Sequence, residues 1–86
     1  MNFQQLRSVR EAIRQGYNLT AVADALHTSQ PGVSRQIREL EDELGVGLFV
    51  RTTRQVALTR AGLIMLEEAK GILVKMEHAS RAVRAA

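Results

Sequence analysis

Cysteine and tryptophan are absent from this chain of 86 residues, which also has only one proline. Without cysteine the chain cannot form disulfides, thiolate zinc sites or a cysteine nucleophile. Aromatic residues make up only 3% of it, so a chain rich in Ala, Leu and Val is expected to be helical rather than a β-sandwich. The longest uninterrupted apolar run, Leu63 to Leu66, is far shorter than the ~18 residues that a membrane span needs. We therefore expect a small, mainly helical, cytoplasmic protein with no membrane contact.

Acidic residues are missing from one stretch of the chain. Residues 46–60 contain three Arg and no Asp or Glu, which gives +3, whereas residues 1–45 sum to −1 and residues 61–86 to +1. The formal net charge of +3 is therefore concentrated in one short segment. Such a segment is either an ordinary solvated surface or a surface that binds phosphate groups, and its position beside a helical domain favours phosphate.

Helical periodicity and capping residues predict three helices in the first 45 residues. The first covers residues 3–15, and the second, of about two turns, begins after Asn18. The third begins after the N-cap residue Ser29 and ends at Gly45, because glycine tolerates left-handed backbone. The predicted core stripe of the third helix consists of Val33, Ile37, Leu40 and Leu44.

A short helix, a three-residue turn and a longer helix are typical of the helix-turn-helix arrangement. We interpret the third helix as a recognition helix that enters the major groove of DNA with its N-terminal half. Hydrogen-bonding and cationic groups suited to base edges and phosphates are predicted to be exposed there, at Gln30, Ser34, Arg35 and Arg38. The last turns are predicted to expose acids that would repel DNA, at Glu39, Glu41, Asp42 and Glu43.

Two short β-prone runs, residues 46–51 and 56–58, surround a polar turn and predict a small hairpin, or wing. Arg51 and Arg54 supply the positive charge of this wing. Arg54 either enters a minor groove narrowed by A·T-rich sequence or simply attracts phosphate. The expected fold class is therefore mainly α: a winged helix-turn-helix of three helices plus a two-stranded wing, over residues 1–59, followed by a long linker helix.

The long fourth helix is predicted from Arg60 to about Val83, after the cap residue Thr59. Because no other segment is left to cover its apolar stripe, residues 60–86 are expected to form a homodimer. The predicted interface consists of Met65, Leu66, Ala69, Ile72, Leu73, Met76, Ala79 and Val83.

Several strings of the sequence together resemble a known family. The strings SQPGVSRQI and LE, followed by LFVRTTR and LTRAG, resemble the DNA-binding domain of LysR-type transcriptional regulators over essentially the whole chain. The strings MNFQQLR, REAIRQGYNLT and IRELEDELG are most similar to the branch that controls sulfur assimilation and cysteine biosynthesis. The resemblance implies a dimerising linker helix, an effector-binding domain that this chain lacks, and a tetramer at full length.

The resemblance also implies which residues touch DNA. Ser29 matches a cap that contacts the backbone, and Arg51 and Arg54 match the basic positions of the wing. The groove-facing positions of the recognition helix correspond to Gln30, Pro31, Ser34 and Arg35. Thr28 and Arg38 are also predicted to contact DNA, from the geometry of the helix-turn-helix. A dimer places two recognition helices on adjacent major-groove faces, so the target is expected to be an interrupted inverted repeat, which the resemblance implies is A·T-rich.

An enzyme is not expected. His27 and His78 lie far apart in the sequence with no thiol or carboxylate arrangement beside them, and there is no Gly-rich phosphate loop. No cofactor or metal is therefore predicted. The alternative function is a helical protein-interaction module that does not bind DNA and docks its last helix on a partner.

Overall fold

The computed structural model describes residues 1–51 and 56–86, and within these residues it contains four helices and one two-stranded antiparallel sheet. The elements in chain order are α1 (Phe3–Arg14), α2 (Leu19–Ala25), α3 (Gln30–Leu44), β1 (Phe49–Arg51), β2 (Val56–Leu58) and α4 (Arg60–Ala85). This order confirms the predicted fold class, with a helix-turn-helix, a small wing and a long last helix. No helix of the described residues combines the length and apolarity that a membrane crossing needs.

Every one of these helices begins at a side-chain cap. Asn2 and Gln5 form a reciprocal capping box at α1, with distances of 2.8 and 3.1 Å between the paired nitrogen and oxygen atoms. Asn18 caps α2, Ser29 caps α3 and Thr59 caps α4, each by accepting a hydrogen bond from a backbone amide three residues on. A cap of this kind stabilises a helix by about 1 kcal/mol. These local bonds explain why the predicted helix starts are confirmed.

Left-handed backbone ends the first three helices. Gly16 follows α1 with φ 60°, and Gly45 follows α3 with φ 70°. The same position after α2 is held by His27, with φ 55°. The amide of Thr28 donates to the carbonyl of Ala23 over 2.9 Å, which closes the turn that joins α2 to α3. The tight connection of the helix-turn-helix therefore depends on a non-glycine residue in a conformation that L residues adopt reluctantly.

The core consists of two clusters with α1 in both. One lies between α1, α3 and α4, and contains Leu6, Val9, Leu40, Leu48, Met65, Ala69 and Leu73. The other lies between α1, α2 and α3, and contains Ala12, Val22, Ala23, Val33 and Ile37. Phe49 of the wing packs against both clusters, and its ring meets that of Tyr17 edge-on at a centroid distance of 5.9 Å.

Two packing predictions are wrong. The stripe of α4 does have a partner within the chain, because α1 lies along its first half and packs against Met65, Ala69 and Leu73, and Leu66 is buried as well. Leu44, predicted to be a core residue, is 39% exposed because it is the last residue of α3 and lies beside an open apolar groove.

The wing is fixed to the helices at its base. Its register pairs Phe49 with Leu58, and Arg51 with Val56. The Thr59 hydroxyl donates to the Gly47 carbonyl over 2.7 Å and accepts from the Gly62 amide, so one residue ties the segment before β1 to the start of α4. A Cβ atom at Gly62 would overlap the Leu48 carbonyl oxygen, which shows how closely α4 approaches this segment.

Candidate nucleic-acid interface

The N-terminal half of α3 presents polar and cationic side chains to solvent. Val33, Ile37 and Leu40 turn toward the core, so the opposite face of the helix is turned outward. The exposed predicted residues are Thr28, Ser29, Gln30, Pro31, Arg35 and Arg38. The Ser29 hydroxyl accepts from the Gly32 amide over 3.1 Å, which fixes the start of the helix. The structure thus brings these predicted residues together on one surface.

Ser34 departs from its predicted exposure. It lies at the boundary between the outer face of α3 and the core, and is only 8% exposed. Its hydroxyl accepts a hydrogen bond from the Gln30 side-chain nitrogen over 2.9 Å. An amide nitrogen carries two hydrogens, so Gln30 keeps one N–H and its carbonyl oxygen for another partner. Ser34 is therefore placed to orient Gln30, its own hydroxyl hydrogen remains for another acceptor, and its predicted contact with DNA stays a prediction.

Arg35 is held loosely. Its Nε lies 3.7 Å from a carboxylate oxygen of Glu39, and both side chains are more than half exposed, at 68% and 53%. Exposed pairs of this kind contribute about 0–1 kcal/mol, so the Arg35 guanidinium can exchange this carboxylate for a stronger anionic partner.

A second pair of basic side chains lies where α3 faces the wing. Arg38 and Arg51 are both exposed, and with Glu41 and Phe49 they line a shallow cavity that we call the wing groove. Arg54 and the rest of the turn, residues 52–55, lie outside the described residues, so the prediction for Arg54 stays a prediction.

Glu41 does not belong to an exposed acidic cluster. It is half-buried, and its carboxylate accepts hydrogen bonds from the amides of Leu48 over 2.7 Å and Phe49 over 3.4 Å. The prediction that it is one of four exposed acids is therefore wrong, because the chain returns over α3 before the wing. Glu39, Asp42 and Glu43 are exposed as predicted and keep the C-terminal half of α3 negative.

A second groove lies on the opposite side of α3, where it meets α1. Its polar lining includes Gln4, Arg7, Thr28, Arg35 and Gln36, and we call it the α1 groove. A hydrogen bond of 3.3 Å from the Gln36 side chain to that of Gln4 joins the two helices. Sequence reasoning missed Arg7, because the periodicity of α1 identifies only which residues are buried and not what its polar side faces.

Exposed apolar side chains lie along one side of α4 and form an apolar surface. Of the predicted interface residues that the chain's own core does not bury, Ile72 is 38% and Val83 75% exposed, Ala79 is exposed, and Met76 is half-buried. An apolar groove continues this surface toward α3 and is lined by Met1, Leu44, Val46, Ile64 and Ile72 among others. In residues 1–51 and 56–86, no group of three or more His, Cys, Asp or Glu side chains is arranged to hold a metal.

Curated relatives match this chain over nearly its whole length. It is 51% identical over 85 residues, 98% of the chain, to the HTH-type transcriptional regulator SsuR of Burkholderia cenocepacia. It is 54% identical over 82 residues, 94% of the chain, to the HTH-type transcriptional regulator CysB of the same species. The chain spans only 28% and 26% of the lengths of these two proteins.

A solved structure and a family pattern agree with these matches. The crystal structure of the CbnR_DBD–DNA complex is similar with a TM-score of 0.87 and 40% identity, over 99% of this chain and 97% of that one. Residues 3–63 match the family described as bacterial regulatory helix-turn-helix protein, lysR family. These residues include α1, the helix-turn-helix, the described strands of the wing and the start of α4. The chain therefore belongs to the lysR family of bacterial regulatory helix-turn-helix proteins.

Proposed function

We propose that this chain is the sequence-specific DNA-binding domain of a transcriptional regulator, with α3 in the major groove and the wing at the minor groove or the backbone. The observation that carries the proposal is the division of α3 into an exposed polar and cationic N-terminal half and an acidic C-terminal half. Only the first half can approach a polyanion closely. The similarity to CbnR_DBD, whose crystal structure contains DNA, supports the same use of this surface.

Gln30 is the proposed base-reading residue. Its amide donates one hydrogen to Ser34, and the groups left over are one N–H and one carbonyl oxygen. Adenine offers N7 as an acceptor and its N6 amino group as a donor in the major groove, which matches this pair of groups. Pro31 and Arg35 lie beside Gln30 as further contacts to bases or phosphates. Thr28, Ser29, Arg38, Arg51 and Arg54 are assigned to the DNA backbone or, for Arg54, to the minor groove.

The test for Gln30 is a binding selection. The chain is expected to enrich an A·T-rich interrupted inverted repeat from a pool of random duplexes. Gln30→Ala should reduce discrimination at one base position of each half-site by about 1–3 kcal/mol, measured by competition with duplexes changed at single positions. Discrimination equal to that of the unsubstituted chain at every position would contradict this role.

We also propose a homodimer through α4, with residues 1–59 as the DNA-binding unit and residues 60–86 as the linker helix. The support is the apolar surface left open on α4, at Ile72, Met76, Ala79 and Val83, and the groove beside it. Contiguous exposed apolar surface of this kind marks an interface. A tetramer and an effector-binding domain belong to the proposed full-length regulator, of which this chain spans about a quarter if it has the length of its relatives.

A role in the control of sulfur assimilation and cysteine biosynthesis, in the cytoplasm, completes the proposal. Its support is the resemblance of the chain to that branch, together with the identity to CysB and SsuR. The experiment is a footprint on promoter fragments of cysteine-biosynthesis genes, with promoters of unrelated genes as controls. Salt-insensitive binding to a protein, with no binding to any duplex at low salt, would instead favour the interaction module. No catalytic activity is expected.

A further inference from the structure

Arg7 differs from the other two arginines of α1. Arg10 forms an ion pair with Glu77 of α4 at 3.3 Å, and Arg14 forms one with Glu11 at 2.9 Å. Arg7 forms no ion pair within the part of the chain that the structure describes. It is exposed and lines the α1 groove together with Arg35 and Thr28. The unpaired charge of α1 is thus the one that lies next to the recognition helix.

The two grooves lie on opposite sides of the exposed face of α3. At 100° per residue, Gly32 and Gln36 border that face on the α1 side, whereas Arg38 and Glu41 border it on the wing side. A helix inserted in the major groove has one sugar–phosphate strand on each side of it. Basic side chains in the α1 groove and in the wing groove would therefore face different strands.

From this arrangement we propose that the α1 groove is a phosphate-binding site, in which Arg7 and Thr28 contact the DNA strand opposite the one that the wing approaches. This inference rests on the proposed function and assigns a contact to a helix that otherwise only packs the core. The Arg7 guanidinium offers a planar set of donors that suits two phosphate oxygens, and the Thr28 hydroxyl offers one more donor. Contacts of this kind position the protein without reading sequence.

The test compares Arg7→Ala with Arg14→Ala. Both variants remove one positive charge from α1, but Arg14 does not line the groove. Anisotropy titrations use two probes: the duplex enriched by the unsubstituted chain and a mixed-sequence duplex. Circular dichroism first verifies that both variants keep the fold.

Arg7→Ala is expected to weaken binding to both duplexes by the same factor and to make the slope of log K against log salt shallower by about 0.9 for each bound chain. Arg14→Ala should leave the slope unchanged. Phosphate ethylation interference should lose one position per half-site with Arg7→Ala, on the strand away from the wing. Arg7→Lys, which keeps the charge but not the planar set of donors, should retain the slope and lose part of the affinity.

An unchanged salt slope and ethylation pattern for Arg7→Ala would overturn the inference, as would an equal loss for Arg14→Ala, and both results would leave the proposed function standing. If the unsubstituted chain binds neither duplex at low salt, the proposed function itself fails. The two failures are therefore distinguishable.

Discussion

At the scale of single residues, the turn of the helix-turn-helix carries a conformational cost. His27 occupies left-handed backbone with φ 55°, where a side chain with a Cβ atom is disfavoured and glycine is not. We predict that His27→Gly raises the free energy of unfolding by about 0.5–1 kcal/mol, the αL penalty being partly offset by the greater freedom of glycine in the unfolded chain. Urea denaturation followed by circular dichroism measures the change.

His78→Gly is the matched control. His78 is exposed on α4, where glycine has the lower helix propensity, so this change should lower stability by about 0.5 kcal/mol. If both substitutions destabilise the chain equally, the backbone at His27 is not a source of strain.

Glu11 makes stability depend on pH. Partial burial raises the pKa of its carboxyl group, but hydrogen bonds from Gln15 and Arg14 and the charges of Arg14 and Arg10 outweigh burial, so the pKa lies below its ordinary value of 4.5. The stabilising contribution of a carboxylate with a lowered pKa is complete above the unfolded-state value and is lost as pH falls through the folded-state value. Glu11→Gln should therefore cost stability at neutral pH, and this difference should shrink on acidification to about pH 3. Denaturation curves at both pH values provide the test, and a constant difference would contradict it.

At the scale of elements, the junction between the wing and α4 leaves no room for a side chain at Gly62. Gly62 faces the backbone of Leu48, which cannot move away without breaking its bonds to Glu41 and Thr59. We predict that Gly62→Ala destabilises the chain by about 1–3 kcal/mol. Gly71→Ala, at an open position of the same helix, should instead stabilise it by about 0.5–1 kcal/mol. Thermal melts of the two variants should shift in opposite directions, and shifts of the same sign would show that the junction can relax.

The sequence predicts the helices and strands better than the contacts between them. Helix starts depend on residues that are close in the sequence, whereas contacts between elements join residues that are farther apart. Asn2, Asn18, Ser29 and Thr59 each bind an amide three residues away, so local pattern suffices to locate the helix starts. Glu41 binds amides seven and eight residues away, across a turn whose path no local pattern fixes.

In the candidate site, too, some features follow from the local sequence pattern and others depend on how the elements pack. The exposed cationic positions of α3 follow from helical periodicity, and so does their separation from the acids. The partial burial of Ser34 and the approach of Arg7 depend on how closely α1 and the core pack against α3, which periodicity leaves open. The burial of half the α4 stripe depends likewise on α1 lying along it.

At the scale of the whole molecule, two adjacent residues of α4 are expected to have different roles, one in folding and the other in dimerisation. Leu73 is 0% exposed within the chain's own core, whereas Ile72 is 38% exposed on the apolar surface. We predict that Leu73→Glu unfolds the chain because it buries a charge without a partner. Ile72→Glu should keep the helical circular dichroism spectrum but yield monomers in sedimentation experiments, with weaker binding to the selected duplex. A folded Ile72→Glu variant that sediments as the unsubstituted chain does would contradict the proposed interface.

The bonds of Thr59 and the close approach of Gly62 to the segment before β1 hold the start of α4 firmly to the wing, so α4 and the DNA-binding unit are expected to move together. The helix has 26 residues, which at about 1.5 Å per residue is about 39 Å, and its first half is clamped by α1. In the proposed dimer, a change of about 5° in the angle between the two α4 helices would displace the two DNA-binding ends relative to each other by about 3.4 Å, the length of one nucleotide step along a strand. The range of half-site spacings that the dimer tolerates would therefore report how far the angle between its two α4 helices can change.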